Sequence, residues 1–347
     1  MRNLLIGLAM TAALSSPALA QQLPATQLKL IGGLSVTTQS KLLERPFWTE
    51  KVPQLSGGQI KVDFKPFNEI GLKGPEVLRL VQRDVADGST PFLGHMAGDV
   101  PINEGIDLAG LSPSYELFRK VSDTFRPVLA EHYDKELGLK MLGVWSYQAQ
   151  VLFCREPISG LAGLKGRKVR TSSATQADFV SYFGGSGVPM PIGETQQALV
   201  TGVIDCGIVG TLGAYQLKWG EGAKAVYSLP ITWGSIAFTM NKKKWDGLDP
   251  KVQSFLTTNI KKLEDDIWAL NDKEHQLGID CNTGKECSEG KTGSMKLITP
   301  TAEDEALRRE AMVKAVLPAW AKRCGAQCAT AWNNSVGKLV NLTAAAN

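Results

Sequence analysis

Histidine is scarce in this chain: 347 residues contain three, His95, His132 and His275, and none stands near a cysteine. No C-x2-C or HExxH spacing occurs, so the sequence offers no zinc site. Neither a P-loop nor a GxGxxG fingerprint is present, and no cofactor is called for. The one approach to a nucleophile elbow, Gly184-Gly-Ser-Gly187, carries Val188 where a glycine is required, and reads as a turn after a helix. Long basic runs are missing and the formal net charge is +4, which argues against a nucleic-acid partner. Beyond the first twenty residues no apolar run approaches the length that spans a bilayer. Adjacent Asp265 and Asp266 read as the solvated face of a helix.

Apolar residues do cluster at the start. Arg2 and Asn3 precede an apolar stretch from Leu4 to Leu14; Ser15, Ser16 and Pro17 break it, and Ala18-Leu-Ala20 follows. This is the pattern of a cleavable export signal, too short for a membrane anchor. Cleavage after Ala20 leaves 327 of the 347 residues, enough for two domains. Export to the periplasm also suits the six cysteines, an even number. The short spacings favour Cys281 with Cys287 and Cys324 with Cys328. Cys154 with Cys206 would make a third bridge if their strands are neighbours.

Periodicity predicts strands and helices in alternation. Helices are expected at 39–55, 74–85, 175–183, 195–201, an unusually long 250–277, and 302–322 interrupted at Pro318. Strands are expected at 28–31, 59–64, 90–93, 141–145, 150–154 and 203–209. The rhythm is that of an α/β fold with largely parallel pairing. Two sets of strand–helix units without a linker suggest two lobes joined by crossing strands, with a ligand cleft between them. In that cleft His95 could be a general base of a periplasmic enzyme or a polar group that binds a ligand. Arg170 could be a surface arginine or a fork for a carboxylate.

From Gly163-Leu-Lys-Gly-Arg-Lys-Val-Arg170 the chain resembles the substrate-binding proteins of TRAP (tripartite ATP-independent periplasmic) transporters. Trp48 to Val62, Phe67-Asn-Glu-Ile-Gly71, Asp87-Gly88, Gln197 to Asp205 and Met240 to Leu248 are similar to further family segments in the same order. The resemblance implies a two-lobed periplasmic-binding-protein-like fold with a long helix spanning both lobes. Lobe I would comprise 21–149 plus about 235–265, and lobe II 150–234 plus about 266–347 with the C-terminal helices. It implies a monomeric receptor, not an enzyme, that hands a small organic acid anion to the transporter's membrane subunits.

The family's carboxylate-binding arginine maps onto Arg170. Gln150 stands about where a second arginine is common, with Arg155 a nearby substitute, and Val209 lies where a polar residue is usual. Glu69 falls in the matching loop. Trp145, Tyr147, Trp219 and Trp233 fall in segments that approach the cleft, at least two of them as core. Trp233 is expected to wall the pocket, with Trp145 a further candidate. The ligand expected is a mono-carboxylate with an apolar or aromatic tail, such as a 2-oxo acid; a C4-dicarboxylate or sugar acid is the alternative.

Overall fold

The computed structural model describes residues 23–345; the expected export signal, residues 1–20, lies outside them. Among the described residues eleven strands form two sheets. The first holds β1 (Thr26–Gly32), β2 (Ile60–Pro66), β3 (Gly88–Ser89), β4 (Leu139–Ser146) and β10 (Ser235–Asn241), in the order β2-β1-β3-β10-β4. The second holds β5 (Gln150–Cys154), β6 (Lys168–Thr171), β7 (Ser186–Pro189), β8 (Cys206–Gly210), β9 (Ala225–Thr232) and β11 (Lys296–Ile298), in the order β11-β9-β5-β8-β6-β7. β1 pairs in parallel with β2 and β3, and β6 with β7 and β8. β5 and β8 are buried at every position, as suits central strands covered on both faces.

Extended chain crosses between the sheets twice, from β4 into β5 through Tyr147–Ala149, and from β9 into β10 through Trp233–Gly234; the third passage, from β10 to β11, runs through helices. The two crossings run side by side, with the Tyr147 N–H donating to the Gly234 carbonyl at 3.0 Å. Gly234 needs to be glycine: its φ is +74°, and a Cβ there would lie 2.7 Å from Gln150 Nε2. Asp107 fixes the second crossing by accepting from the N–H groups of Trp233 (3.0 Å) and Gly234 (2.7 Å).

A helix of 34 residues, Pro250–Thr283, ties the two halves together. Asp249 caps it, Pro250 occupies its first turn, and Gly284 ends it at φ +90°. On β4 of the first sheet, Trp268 Nε1 donates to the Val144 carbonyl (3.0 Å) and Glu264 accepts from the Val144 N–H (3.0 Å). Further along, Asn282 Nδ2 donates to the carbonyl of Thr211, which follows β8 of the second sheet (2.9 Å). Asp265 and Asp266 lie exposed on its outer face. The helices after residue 302, which the sequence reading groups with lobe II, touch both halves. Asp304 accepts from the Leu161 N–H (3.1 Å), whereas the indoles of Trp320 and Trp332 donate to the carbonyls of Pro101 and Gly105.

Some elements differ from expectation. The strand expected at 90–93 is instead the two-residue β3 followed by a 3-10 turn, Leu93–Met96. Pro91 donates no N–H to a ladder, so the strand breaks there and only an isolated bridge, Phe92 to Ile236, follows it. Pro318 does not interrupt the helix from Ala302 to Cys324: a widened turn, Met312–Val316, precedes it. Similar wide turns, Gln39–Glu44 and Phe47–Lys51, precede Pro46 and Pro53. The extra residue per turn takes a carbonyl away from the proline ring, which has no N–H to offer it. Cys281–Cys287 and Cys324–Cys328 are bridged as their spacings suggest, and Cys154–Cys206 is the third disulfide, β5 and β8 being neighbours. Cys154 and Cys206 sit opposite each other on β5 and β8.

Candidate functional site

Between the lobes lies a cavity of about 590 Å³ including its open mouth. The first lobe contributes Leu34, Thr37, Phe67, Phe92 and His95 to its wall. The crossing strand contributes Tyr147, Gln148 and Gln150, and the second lobe Arg170, Ser172, Ile192, Val209, Gly210, Gly213 and Leu217. Among these described residues Arg170 alone carries a charge, and no carboxylate is present.

Arg170 is held at β6, opposite Gly207 of β8, and is 2% exposed. Its Nε donates to the Met190 carbonyl at 3.1 Å and Nη1 to the Ile208 carbonyl at 2.8 Å. Neutral carbonyls orient the fork but do not balance its charge, and Arg170 forms no ion pair among the described residues. Burial brings its pKa down to about 10, so it stays cationic at neutral pH. A buried cation without a counter-ion is costly, and an anion in the cavity relieves that cost.

His95 is partly buried and packs against Phe92, the rings tilted and their centroids 4.7 Å apart. Burial, and then the charge of Arg170, lower its pKa to about 3, so it is neutral at physiological pH. Its ring has no side-chain partner among the described residues, and no carboxylate orients it as a general base would require. Tyr147 is pushed above the usual phenol range, first by burial and then by Glu44 behind it. Two amides complete the polar wall. Gln148 Nε2 donates to Asn271 Oδ1 (2.9 Å) and Glu274 Oε2 (2.5 Å) on the long helix. Gln150 Oε1 accepts from Gln176 Nε2 (2.7 Å) and Thr232 Oγ1 (3.0 Å).

Of the eight residues expected at the site, His95, Gln150, Arg170 and Val209 line the cavity and four do not. Trp233 is 3% exposed; its indole packs with Tyr115, Phe118 and His275 and donates to the Ser112 carbonyl (2.9 Å). Trp145 is wholly buried in the core beside Gly143. Arg155 follows the far end of β5, about 16 Å from Gln150 at ~3.3 Å per residue, and lies beside Gly202. Glu69 is exposed and pairs with Arg45, while Phe67 of the same loop reaches the cavity. The aromatic wall is therefore Phe67, Phe92 and Tyr147. Gln148 carried no sequence signal, because its partners lie more than a hundred residues away.

Lys73 of the first lobe and Glu194 of the second form an exposed ion pair at 2.8 Å. Deeper in, Glu104 accepts from the Thr175 N–H at 2.7 Å, bringing the first lobe onto a helix N-terminus of the second. The lobes are thus in contact at both places.

Residues 36–323 match the family described as bacterial extracellular solute-binding protein, family 7. The chain belongs to that family. Curated relatives include the outer membrane transporter protein TsaT of Comamonas testosteroni, 29% identical over 61% of this chain and 63% of its own length. Another is the 2,3-diketo-L-gulonate-binding periplasmic protein YiaO of Escherichia coli, 26% identical over 57% of this chain and 66% of its own. Both alignments span less than two thirds of the relative. Among solved structures, a TRAP periplasmic solute-binding protein of Desulfovibrio salexigens with bound orotic acid has a TM-score of 0.79 at 17% identity, covering 91% of this chain and 97% of that one. The Bordetella pertussis receptor DctP6, which binds pyroglutamic acid, has a TM-score of 0.77 at 25% identity, covering 89% and 98%. The fold is accordingly the two-lobed TRAP-receptor architecture expected from the sequence, and the family is one of solute receptors, not enzymes.

Proposed function

We propose that this chain is a periplasmic receptor that closes around a small organic mono-carboxylate and presents it to the membrane subunits of a TRAP transporter. The observation that carries the reading is Arg170: a buried guanidinium, oriented by two backbone carbonyls, with no carboxylate paired to it among the described residues. A ligand carboxylate would supply the missing charge through the open side of the fork. The single cation favours one carboxylate over two. The remaining wall, with Leu34, Phe67, Phe92, Ile192, Val209 and Leu217, suits an apolar body. Closure over such a ligand is favoured because it touches both lobes at once, and the ligand shifts the population of the closed form by that difference.

Calorimetry with a panel of small carboxylates on the wild-type protein and on Arg170→Met tests this. Loss of a charge-assisted pair in a buried site is expected to weaken binding by about a hundredfold or more. A variant that folds and binds its best carboxylate within fivefold of wild type would refute the reading.

A further inference from the structure

The two cavity amides point opposite ways, and each is fixed by backbone groups whose polarity is unambiguous. Asn271 Nδ2 donates to the carbonyls of Ser146 (2.7 Å) and Ile267 (3.1 Å), so its Oδ1 must face Gln148. Gln148 therefore turns its nitrogen to Asn271 and Glu274 and its oxygen away from them. That oxygen accepts nothing from the described residues. It lies against Gly210, also in the cavity wall, where an added Cβ would come within 2.8 Å of it. In the same way the Ser172 N–H donates to Gln176 Oε1 (2.8 Å), so Gln176 turns its nitrogen to Gln150 Oε1, leaving Gln150 Nε2 as the free end. The cavity thus offers a cation at Arg170, a donor at Gln150 and an acceptor at Gln148.

We infer that the site selects carboxylates bearing an O–H or N–H donor, directed at Gln148 Oε1. A hydroxy acid or a lactam acid pairs with that oxygen. A 2-oxo acid, the ligand first expected, would set one acceptor against another, and the network through Asn271 prevents the amide from turning over. An unpaired buried acceptor loses the hydration it had before closure, so the site rejects ligands that cannot pair it. This selectivity rests on the mono-carboxylate reading and refines it.

Matched pairs of ligands test it on the wild-type protein: mandelate against phenylglyoxylate, α-hydroxyisovalerate against α-ketoisovalerate, and pyroglutamate against its ring-oxygen lactone analogue. Thermal shift finds the pairs that bind, and calorimetry measures the ratio within each. The donor-bearing member should bind about tenfold or more tightly, and Gln148→Met should bring the ratio near one by weakening the donor-bearing member. Equal or reversed affinities in the wild type, with binding still lost in Arg170→Met, would overturn the donor requirement and leave the carboxylate reading standing. Binding by no pair, or binding that survives Arg170→Met, would overturn both.

Discussion

Glu44 should make this protein less stable as the pH rises from mildly acidic to neutral. Its carboxyl is wholly buried and accepts from the Gly33 N–H (3.1 Å) and the Thr90 hydroxyl. Neither donor is charged, and burial outweighs them, raising the pKa from 4.5 to about 7. The folded state therefore holds a proton that the unfolded chain has released. Stability is unaffected below the unfolded pKa, falls as pH rises through the window between the two values, and has lost its full share above about 7. A shift of this size corresponds to about 3 kcal/mol at 1.36 kcal/mol per unit. Glu44→Gln keeps the shape and removes the titration. Asp107, Glu104 and Glu274, also raised by burial, remain in both proteins, so the informative quantity is the melting temperature of the variant minus that of wild type. This difference should increase by about 6 °C between about pH 4 and about pH 8, at ~2 °C per kcal/mol for a chain of this length. Melting curves followed by circular dichroism across that range provide the measurement. Parallel pH dependences would mean that the two donors hold the carboxylate ionised and that burial does not dominate.

Other perturbations separate the elements that hold the halves in place. Replacing both Cys154 and Cys206 by alanine opens a loop with a sequence separation of 52, and chain entropy puts the loss near 4 kcal/mol. The spans of 6 and 4 residues at the other bridges should cost about half as much on the same scale, and urea titration of the three double variants ranks them. Gly278→Ala would place a Cβ 2.2 Å from the Leu212 backbone nitrogen, where the long helix meets the helix Thr211–Gln216. Overpacking against backbone should cost about 3 kcal/mol or more, although alanine is the better helix former by about 1 kcal/mol. Urea denaturation that shows a gain in stability would mean the helices are not held that close.

What was legible in the sequence follows from the range of the interactions involved. Strand–helix alternation, the start of the long helix at Pro250 and the short cysteine spacings are local, and each emerged at or near its expected place. Arg170 was legible because a family segment carries it. Trp233 was not, since its size and its place at a crossing suit a cavity wall as well as a core. Only the packing of Tyr115, Phe118 and His275 around it, from segments distant in sequence, decides between them. Arg155 misled for a geometric reason: five residues of strand carry the chain from the cleft to the opposite edge of the sheet.

Gln148 shows where local reading stops. A glutamine in a crossing segment can present either end of its amide, and nothing nearby in sequence chooses. The choice comes from Asn271, itself oriented by the carbonyls of Ser146 and Ile267. Those carbonyls belong to the crossing strand and to the long helix, the two elements that join the lobes. The hydrogen-bond polarity at Gln148 is therefore set by the packing of the crossing strand against the long helix. A substitution at Asn271 that keeps the fold would alter which ligands the receptor accepts without touching the cavity wall.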